Sequence, residues 1–298
     1  MKTVLITGGT GLIGKRLSFL LQSKGYEVRL LSRDENPDAQ YKTFVWDIHK
    51  RYIDEKAFEN LDCIVHLAGA GIADKKWSEA RKKVIIDSRV ESTKLLLEYV
   101  QKLHVSLEAF VSSSAVGYYG SITSEIIFKE EDNPGNDYLA EVCKLWEAAI
   151  FEFQSERIRT VAIRTGIVLS QKGGALQKMK TPVITALGSG SQYIPWIHID
   201  DLCGIYLKAI EDSHMEGSYN GVAPEHETNK TFSKKLAKVF KRPFLPIGAP
   251  AFILKLVFGE MATLLLNGSR ISSQKILDAG FDFSFPTLNE ALADLAKK

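Results

Sequence analysis

Thr7-Gly8-Gly9-Thr10-Gly11-Leu12-Ile13-Gly14 follows the apolar run Val4-Leu5-Ile6 and opens an amphipathic stretch, Leu12 to Gln22, that ends at Lys24-Gly25. Strand, glycine-rich turn and helix in that order bring free backbone N–H groups and the positive end of a helix dipole to one point, which favours an anion. The glycines have separate tasks: a tight turn, close approach of the backbone to a pyrophosphate, and close packing of helix on strand. A glycine triplet alone is a weak signal. Here a second strand, Glu27 to Ser32, ends about 20 residues further on, as a dinucleotide-binding unit requires. Gly8, Thr10, Gly11, Leu12, Ile13 and Gly14 are therefore expected to line the loop.

The same rhythm continues along the first 170 residues, with apolar runs at Thr43 to Trp46, Cys63 to Leu67, Ala109 to Ser112 and Thr160 to Arg164, and helical patterns at Glu79 to Lys102 and Leu139 to Gln154. Strands alternating with helices predict an α/β fold, a Rossmann-type doubly wound parallel sheet. After Thr165 glycine clusters appear at Gly173-Gly174 and Gly188-Ser189-Gly190, and six of the nine prolines fall between Pro182 and Pro250. That change predicts a cofactor-binding domain over residues 1–170 and a smaller substrate-side lobe over 171–298, with about 192–222 returning to the first. The apolar blocks between Ala251 and Leu266 read as a helix covering the substrate pocket or core, with a dimer contact or a membrane-surface helix as alternatives.

With 298 residues, 45% of them hydrophobic and 25% charged, the chain can bury a core without staples. A net charge of +2 gives no reason to expect nucleic acid or an anionic membrane as partner. Cys63, Cys143 and Cys203 form no CxxC pair, so neither a disulfide framework nor a zinc site is suggested, and a cytoplasmic setting follows. The histidines have no ligand-spaced partners, so no metal is expected; Asp200 and Asp201 read as helix caps rather than ligands.

Cofactor preference is read at the end of the second strand. Leu30-Leu31-Ser32-Arg33 offers a cation where an NAD site usually offers a carboxylate, which favours NADP(H) over NAD(H). A charged hydrogen bond of roughly 1.5–3 kcal/mol corresponds to about one to two decades in affinity, enough to decide between them. The alternative is a solvated Arg33, with Asp34 on the ribose hydroxyl.

His66-Leu67-Ala68-Gly69-Ala70, Ser112-Ser113-Ser114 and Trp196-Ile197-His198-Ile199-Asp200-Asp201, together with the glycine loop, resemble an extended short-chain dehydrogenase/reductase over nearly the whole chain. Ser114-Ala115-Val116-Gly117-Tyr118-Tyr119-Gly120, the stretch Leu139 to Glu147 and the ending Gly280 to Pro286 resemble one atypical subgroup, the epimerase-like (nucleoside-diphosphate-sugar-epimerase-like) oxidoreductases. The resemblance implies that Leu67 and Ala68 run beside the cofactor, that Arg89 reaches it, and that the Val168 backbone holds the nicotinamide amide. Simple packing and surface charge are the plainer readings of Val168 and Arg89.

The superfamily's chemistry also needs a tyrosine as acid or base, a lysine four residues later to lower its pKa, and a serine on the substrate oxygen. Four residues place tyrosine and lysine about 40° apart on one helix face. Tyr52 with Lys56 has the spacing but lies far ahead of the right helix; in that helix Lys144 is preceded at four residues by Ala140. Tyr138 is six residues from Lys144, about 240° around, so the two point apart. The remaining catalytic candidates are Ser114, Tyr118, Tyr119 and Lys144. Two functions stay open: NADP(H)-dependent redox or epimerase chemistry on a small carbonyl or nucleotide-sugar-like substrate, and a non-catalytic NADP(H)-binding sensor or regulatory protein.

Overall fold

Val4, Leu5 and Ile6 are fully buried, so the first strand carries helices on both faces, as an unbroken apolar run in a parallel sheet requires. The structure, a computed structural model, describes residues 1–34 and 39–297. Its strands β1 (Thr3–Thr7), β2 (Glu27–Ser32), β3 (Lys42–Asp47), β4 (Tyr52–Ile53), β5 (Cys63–His66) and β6 (Ala109–Ala115) join Arg159–Thr165 and Gly217–Gly221 in one eight-stranded sheet. The spatial order is Gly217–Gly221, Arg159–Thr165, β6, β5, β1, β2, β3, β4, and every pairing is parallel except that of β3 with β4.

Helix α1 (Leu12–Ser23) and the helix Ile199–Glu211 cover one face, where Val4, Ile6, Leu30, Val65 and Val111 meet Leu17, Leu21, Leu202 and Tyr206. Helices α2 (Glu79–Lys102) and α3 (Tyr138–Phe151) cover the other, where Leu5, Leu31, Ile64 and Phe110 meet Leu95, Leu96, Trp146 and Ile150. Successive residues of β1 thus enter different layers, as the two-residue period of a strand dictates. The chain moves outward from β1 through β2 and β3, then returns to the other side of β1 at β5. That reversal opens a crevice beyond the carboxyl ends of β1 and β5, where open parallel sheets bind ligands.

Gly217-Ser218-Tyr219-Asn220-Gly221 extends the sheet from the second half of the chain, in register with Val161 to Thr165. Sequence reading passed over it because one apolar residue between two glycines carries no strand signature. The rest of the second half is short strand pairs, Ile167–Leu169 with Trp196–His198 among them, around a separate core of Leu169, Trp196, Phe232, Leu236, Leu288 and Leu292.

At the start of Ile199–Glu211 the expected aspartate caps give way to another arrangement. The His198 ring accepts from the Asp200 N–H at 3.1 Å and so makes the cap itself. Asp200 pairs with Arg16 at 2.6 Å, while buried Asp201 accepts from the Ser284 and Phe285 N–H groups at 2.8 and 3.0 Å, fastening the C-terminal segment to the body. The stretch from Ala251 to Leu266, expected to cover a pocket or core, does so only in part: Met261 and Ala262 are buried, but none of the helical residues Ala251–Phe258 is, and Leu256 is 82% exposed. Among the described residues no helix is long and apolar enough to cross a membrane.

Candidate dinucleotide and substrate site

The turn between β1 and α1 is closed by the Gly11 N–H on the Gly8 carbonyl at 3.0 Å, and Gly8 itself sits at φ +67°, a left-handed conformation glycine adopts without penalty. A Cβ on Gly9 would lie 2.4 Å from the Leu30 side chain, and one on Gly14 would lie 2.4 Å from the Gly8 carbonyl oxygen. Gly11 is the N-cap of α1 and no side chain caps the helix, so its first-turn N–H groups remain available to an anion. Thr10 and Gly11 are exposed, and Leu12 and Ile13 are half-buried beside them. This cradle fits the pyrophosphate of a dinucleotide; when bound, the nicotinamide would supply or take up a hydride.

Leu67 and Ala68 form the opposite wall. Both N–H groups donate to Thr7 Oγ1 at 3.1 Å, and a Cβ on Gly8 would come within 2.9 Å of the Leu67 carbonyl carbon. Thr7 is set by the buried His66, which bridges the Thr7 and Ser92 hydroxyls at 2.7 and 3.0 Å. Burial pulls the His66 pKa down to about 3, so the ring is neutral. Unfolded, it titrates near 6.5, and between those values the unfolded chain binds more protons. His66 therefore contributes stability that is complete above pH 6.5 and is lost as the pH falls, by about 1.4 kcal/mol per unit. Urea unfolding between pH 7 and 5 should show that slope in the parent protein and a shallower one in His66→Gln. Equal slopes would remove His66 from the account.

Ser32 is half-buried and Arg33 exposed at the carboxyl end of β2, and the Arg33 side chain makes no hydrogen bond or ion pair among the described residues. Val168 lies in Ile167–Leu169 and pairs with Ile197. A Cβ on Gly174 would meet Leu12 Cδ2 at 3.1 Å and the Val168 carbonyl at 3.8 Å, so the structure brings Val168 and the start of α1 together. Arg89, on α2, donates to the Ala70 carbonyl at 3.1 Å and lies 5.0 Å above the Trp146 ring. The structure thus brings Val168 beside the start of α1 and Arg89 onto the loop after Leu67 and Ala68, while Ser32 and Arg33 stand at the end of β2.

The catalytic candidates do not converge. Ser114 is buried and donates to Glu147 at 2.7 Å. Tyr119 is wholly buried, donates to Asn220 at 2.7 Å and accepts from Arg164 at 2.9 Å, so its hydroxyl is engaged in the core. Lys144 is half-exposed and paired with Glu141 at 2.8 Å on the outer side of α3. Tyr118 is half-buried, its ring 3.5 Å from the Arg164 guanidinium, and its hydroxyl has no partner among the described residues. Of the four, Tyr118 alone keeps a hydroxyl free to meet a substrate.

Why α3 lacks the tyrosine–lysine pair is visible in its packing. The helix starts at Tyr138, capped by Asp137, whose carboxylate accepts from the Ala140 N–H at 2.9 Å. Its face toward the turn after β6 presents Leu139 and Cys143, as shown by a Cβ on Gly117 meeting Leu139 Cβ at 3.3 Å and Cys143 Sγ at 3.7 Å. The four-residue spacing is kept, but by a leucine and a thiol that burial pushes up to about 12. One turn on, Glu147 holds Ser114, Ser218 and both nitrogens of a bidentate pair with Arg164, each at 2.7–3.2 Å. Burial opposes the Arg164 charge, but Glu147 and then Tyr119 more than offset it and push its pKa up. Sequence reading missed this buried pair because Glu147 and Arg164 sit in a helix and a strand whose contact only the sheet order reveals.

The fold and cradle define an NAD(P)-binding protein of the Rossmann class. Residues 4–220 match the NAD dependent epimerase/dehydratase family, and the chain belongs to it; residues 249–295 match a domain of unknown function, DUF1731. The chain is 37% identical to the human epimerase family protein SDR39U1, covering 98% of this chain and 99% of that one. It is 32% identical over the full length of both chains to the epimerase family protein SAOUHSC_00792 of Staphylococcus aureus. The crystal structure of human SDR39U1 (isoform 2) with NADPH superposes with a TM-score of 0.86 at 34% identity, covering 99% of each chain.

Proposed function

We propose that the protein is an NADP(H)-dependent oxidoreductase or epimerase acting on a small carbonyl or nucleotide-sugar-like substrate. The observation that carries this reading is the cradle of Gly8, Gly11 and Gly14 against the Leu67–Ala68 turn, with the Arg33 cation just past the carboxyl end of β2. The NADPH in the human relative's structure supports the phosphorylated cofactor. In this reading Gly8, Thr10, Gly11, Leu12, Ile13 and Gly14 hold the pyrophosphate, Ser32 and Arg33 the 2′-phosphate, and Leu67, Ala68, Arg89 and Val168 the remainder. Tyr118 donates the proton to the substrate oxygen. The second half of the chain closes over the crevice and sets which substrate enters.

A second reading, an NADP(H)-binding sensor without catalysis, is favoured by Ala140 standing four residues before Lys144 and by α3 presenting Leu139 and Cys143, not a tyrosine and a lysine, to the turn after β6. Following NADPH absorbance with a panel of aldehydes, ketones and sugar nucleotides separates the two. The enzyme reading expects turnover with a member of the panel and a loss of about 100-fold in kcat for Tyr118→Phe, the size of a general acid's contribution. Cofactor binding with no turnover on any compound leaves the sensor. Turnover untouched in Tyr118→Phe removes Tyr118 as the donor.

A further inference from the structure

Arg81 and Arg89 lie two turns apart on one stripe of α2, with Ile85 between them, and both clamp the loop that leaves β5. Arg81 Nη2 donates to the Gly71 carbonyl at 2.5 Å, and Arg89 Nη1 to the carbonyls of Ala70 and Ile85 at 3.1 and 2.9 Å. Arg89 lacks a counter-ion among the described residues, and Arg81 has only a long pair, with the largely exposed Asp74 at 3.8 Å. Arg81 Nε is buried with no hydrogen-bond partner at all. Burial pulls the Arg89 pKa down against the opposing pull of Cys143 and Tyr138, with Arg81 adding repulsion.

Half-buried guanidinium groups held mainly by carbonyl oxygens, one of them with a buried nitrogen left without a partner, are costly, and an anion is the ligand that relieves them. The neighbouring Lys82 shows the contrast: Glu260 at 2.8 Å and Glu79 at 3.3 Å already neutralise it. Tyr138 completes the wall, its ring edge-on to Trp77 at 5.0 Å and its hydroxyl in the field of Arg89, Lys82 and Arg81. Trp77 also ties its indole N–H to the Ile72 carbonyl at 2.9 Å, so the loop from Gly69 to Trp77 is fastened at several points around this spot. The place for the cofactor's own pyrophosphate is the start of α1, on the other side of the β5 exit.

We propose that Arg81, in the added positive field of the cofactor-side Arg89, forms an anion subsite that takes a phosphate or carboxylate group of the substrate beside the loop that leaves β5. The proposal rests on the reading that the crevice holds NADP(H) and adds that its substrate is an acid or a phosphate ester. The planar fork of a guanidinium suits either oxyanion.

The test uses the full chain saturated with NADPH, with inorganic phosphate as probe at constant ionic strength. Thermal unfolding and NADPH fluorescence should report a saturable effect of phosphate that chloride does not reproduce. Arg81→Gln should weaken phosphate binding by about tenfold or more, the loss of a charged hydrogen bond, while NADPH affinity is unchanged. Arg81→Lys, which keeps the charge, should recover part of that binding. The proposal is overturned if the parent protein shows no saturable effect or if Arg81→Gln binds phosphate as the parent does. It is equally overturned if the glutamine and lysine variants are alike impaired, which makes Arg81 a brace for Gly71, or if phosphate and NADPH weaken together, which makes the anion the cofactor's. Failure of the underlying reading shows separately, as absence of NADPH binding before phosphate is added.

Discussion

Replacing Gly14 with valine is expected to weaken NADPH binding by at least 100-fold, about 2.7 kcal/mol. The first atom of any side chain there would stand 2.4 Å from the Gly8 carbonyl oxygen and 2.6 Å from Gly9 Cα, both main chain, so the loop itself must move. Movement there misplaces the N–H groups at the start of α1 that the pyrophosphate needs. Gly11→Ala is the graded comparison: its Cβ would meet the Gly8 carbonyl at 3.2 Å, a contact that a few tenths of an ångström relieves, so a smaller loss is expected. Fluorescence titration of NADPH, with circular dichroism to establish that each variant is folded, checks both. Equal affinities for Gly14→Val and the parent would contradict the placement of the cofactor at this turn.

The second large effect is on stability. Glu147 and Arg164 are 7% and 4% exposed in their side chains, so removing either partner leaves the other charge buried without its counter-ion. That costs about 3–5 kcal/mol. At roughly 2–4 °C per kcal/mol for a chain of this order of size, Arg164→Met should lower Tm by about 6–20 °C. Glu147→Gln should do the same, and the double variant should recover much of the loss because no unpaired charge is left. Calorimetry on the three variants checks this. Additive losses in the double variant would show that the pair acts through packing, not through charge compensation.

The α/β architecture was legible in the sequence because its strands are buried on both faces and therefore read as short unbroken apolar runs. Leu12–Ser23 and Glu79–Lys102 were legible through their periodicity and through glycine at the first helix's end. Gly217–Gly221 was not, because its pairing with Arg159–Thr165 is a long-range contact that its residues do not announce. The glycine cradle was legible because glycine at those positions is demanded by backbone approach. The candidate catalytic residues were harder. Ser114, Tyr119 and Lys144 are the right residue types near the right strand and helix, but side-chain direction decides their use, and here it sends them to Glu147, Asn220 and Glu141. Arg81 was passed over because a helix arginine among lysines reads as surface charge; its unsatisfied Nε is visible only after folding.

These observations bear on the loss of the tyrosine–lysine pair. Leu139 and Cys143 keep α3 packed on the turn after β6, and Glu147 ties that helix to three strands, so the region is held for structure while the glycine cradle is preserved. The account's central claim is that this cradle binds NADP(H) with Arg33 reading the 2′-phosphate. Parallel titrations of the parent protein and Arg33→Asp with NADPH and NADH test it most directly. The account predicts that the parent favours NADPH by about one to two decades and that Arg33→Asp loses or reverses the preference. An unchanged NADPH/NADH ratio in Arg33→Asp, or no binding of either cofactor by the parent, would contradict it.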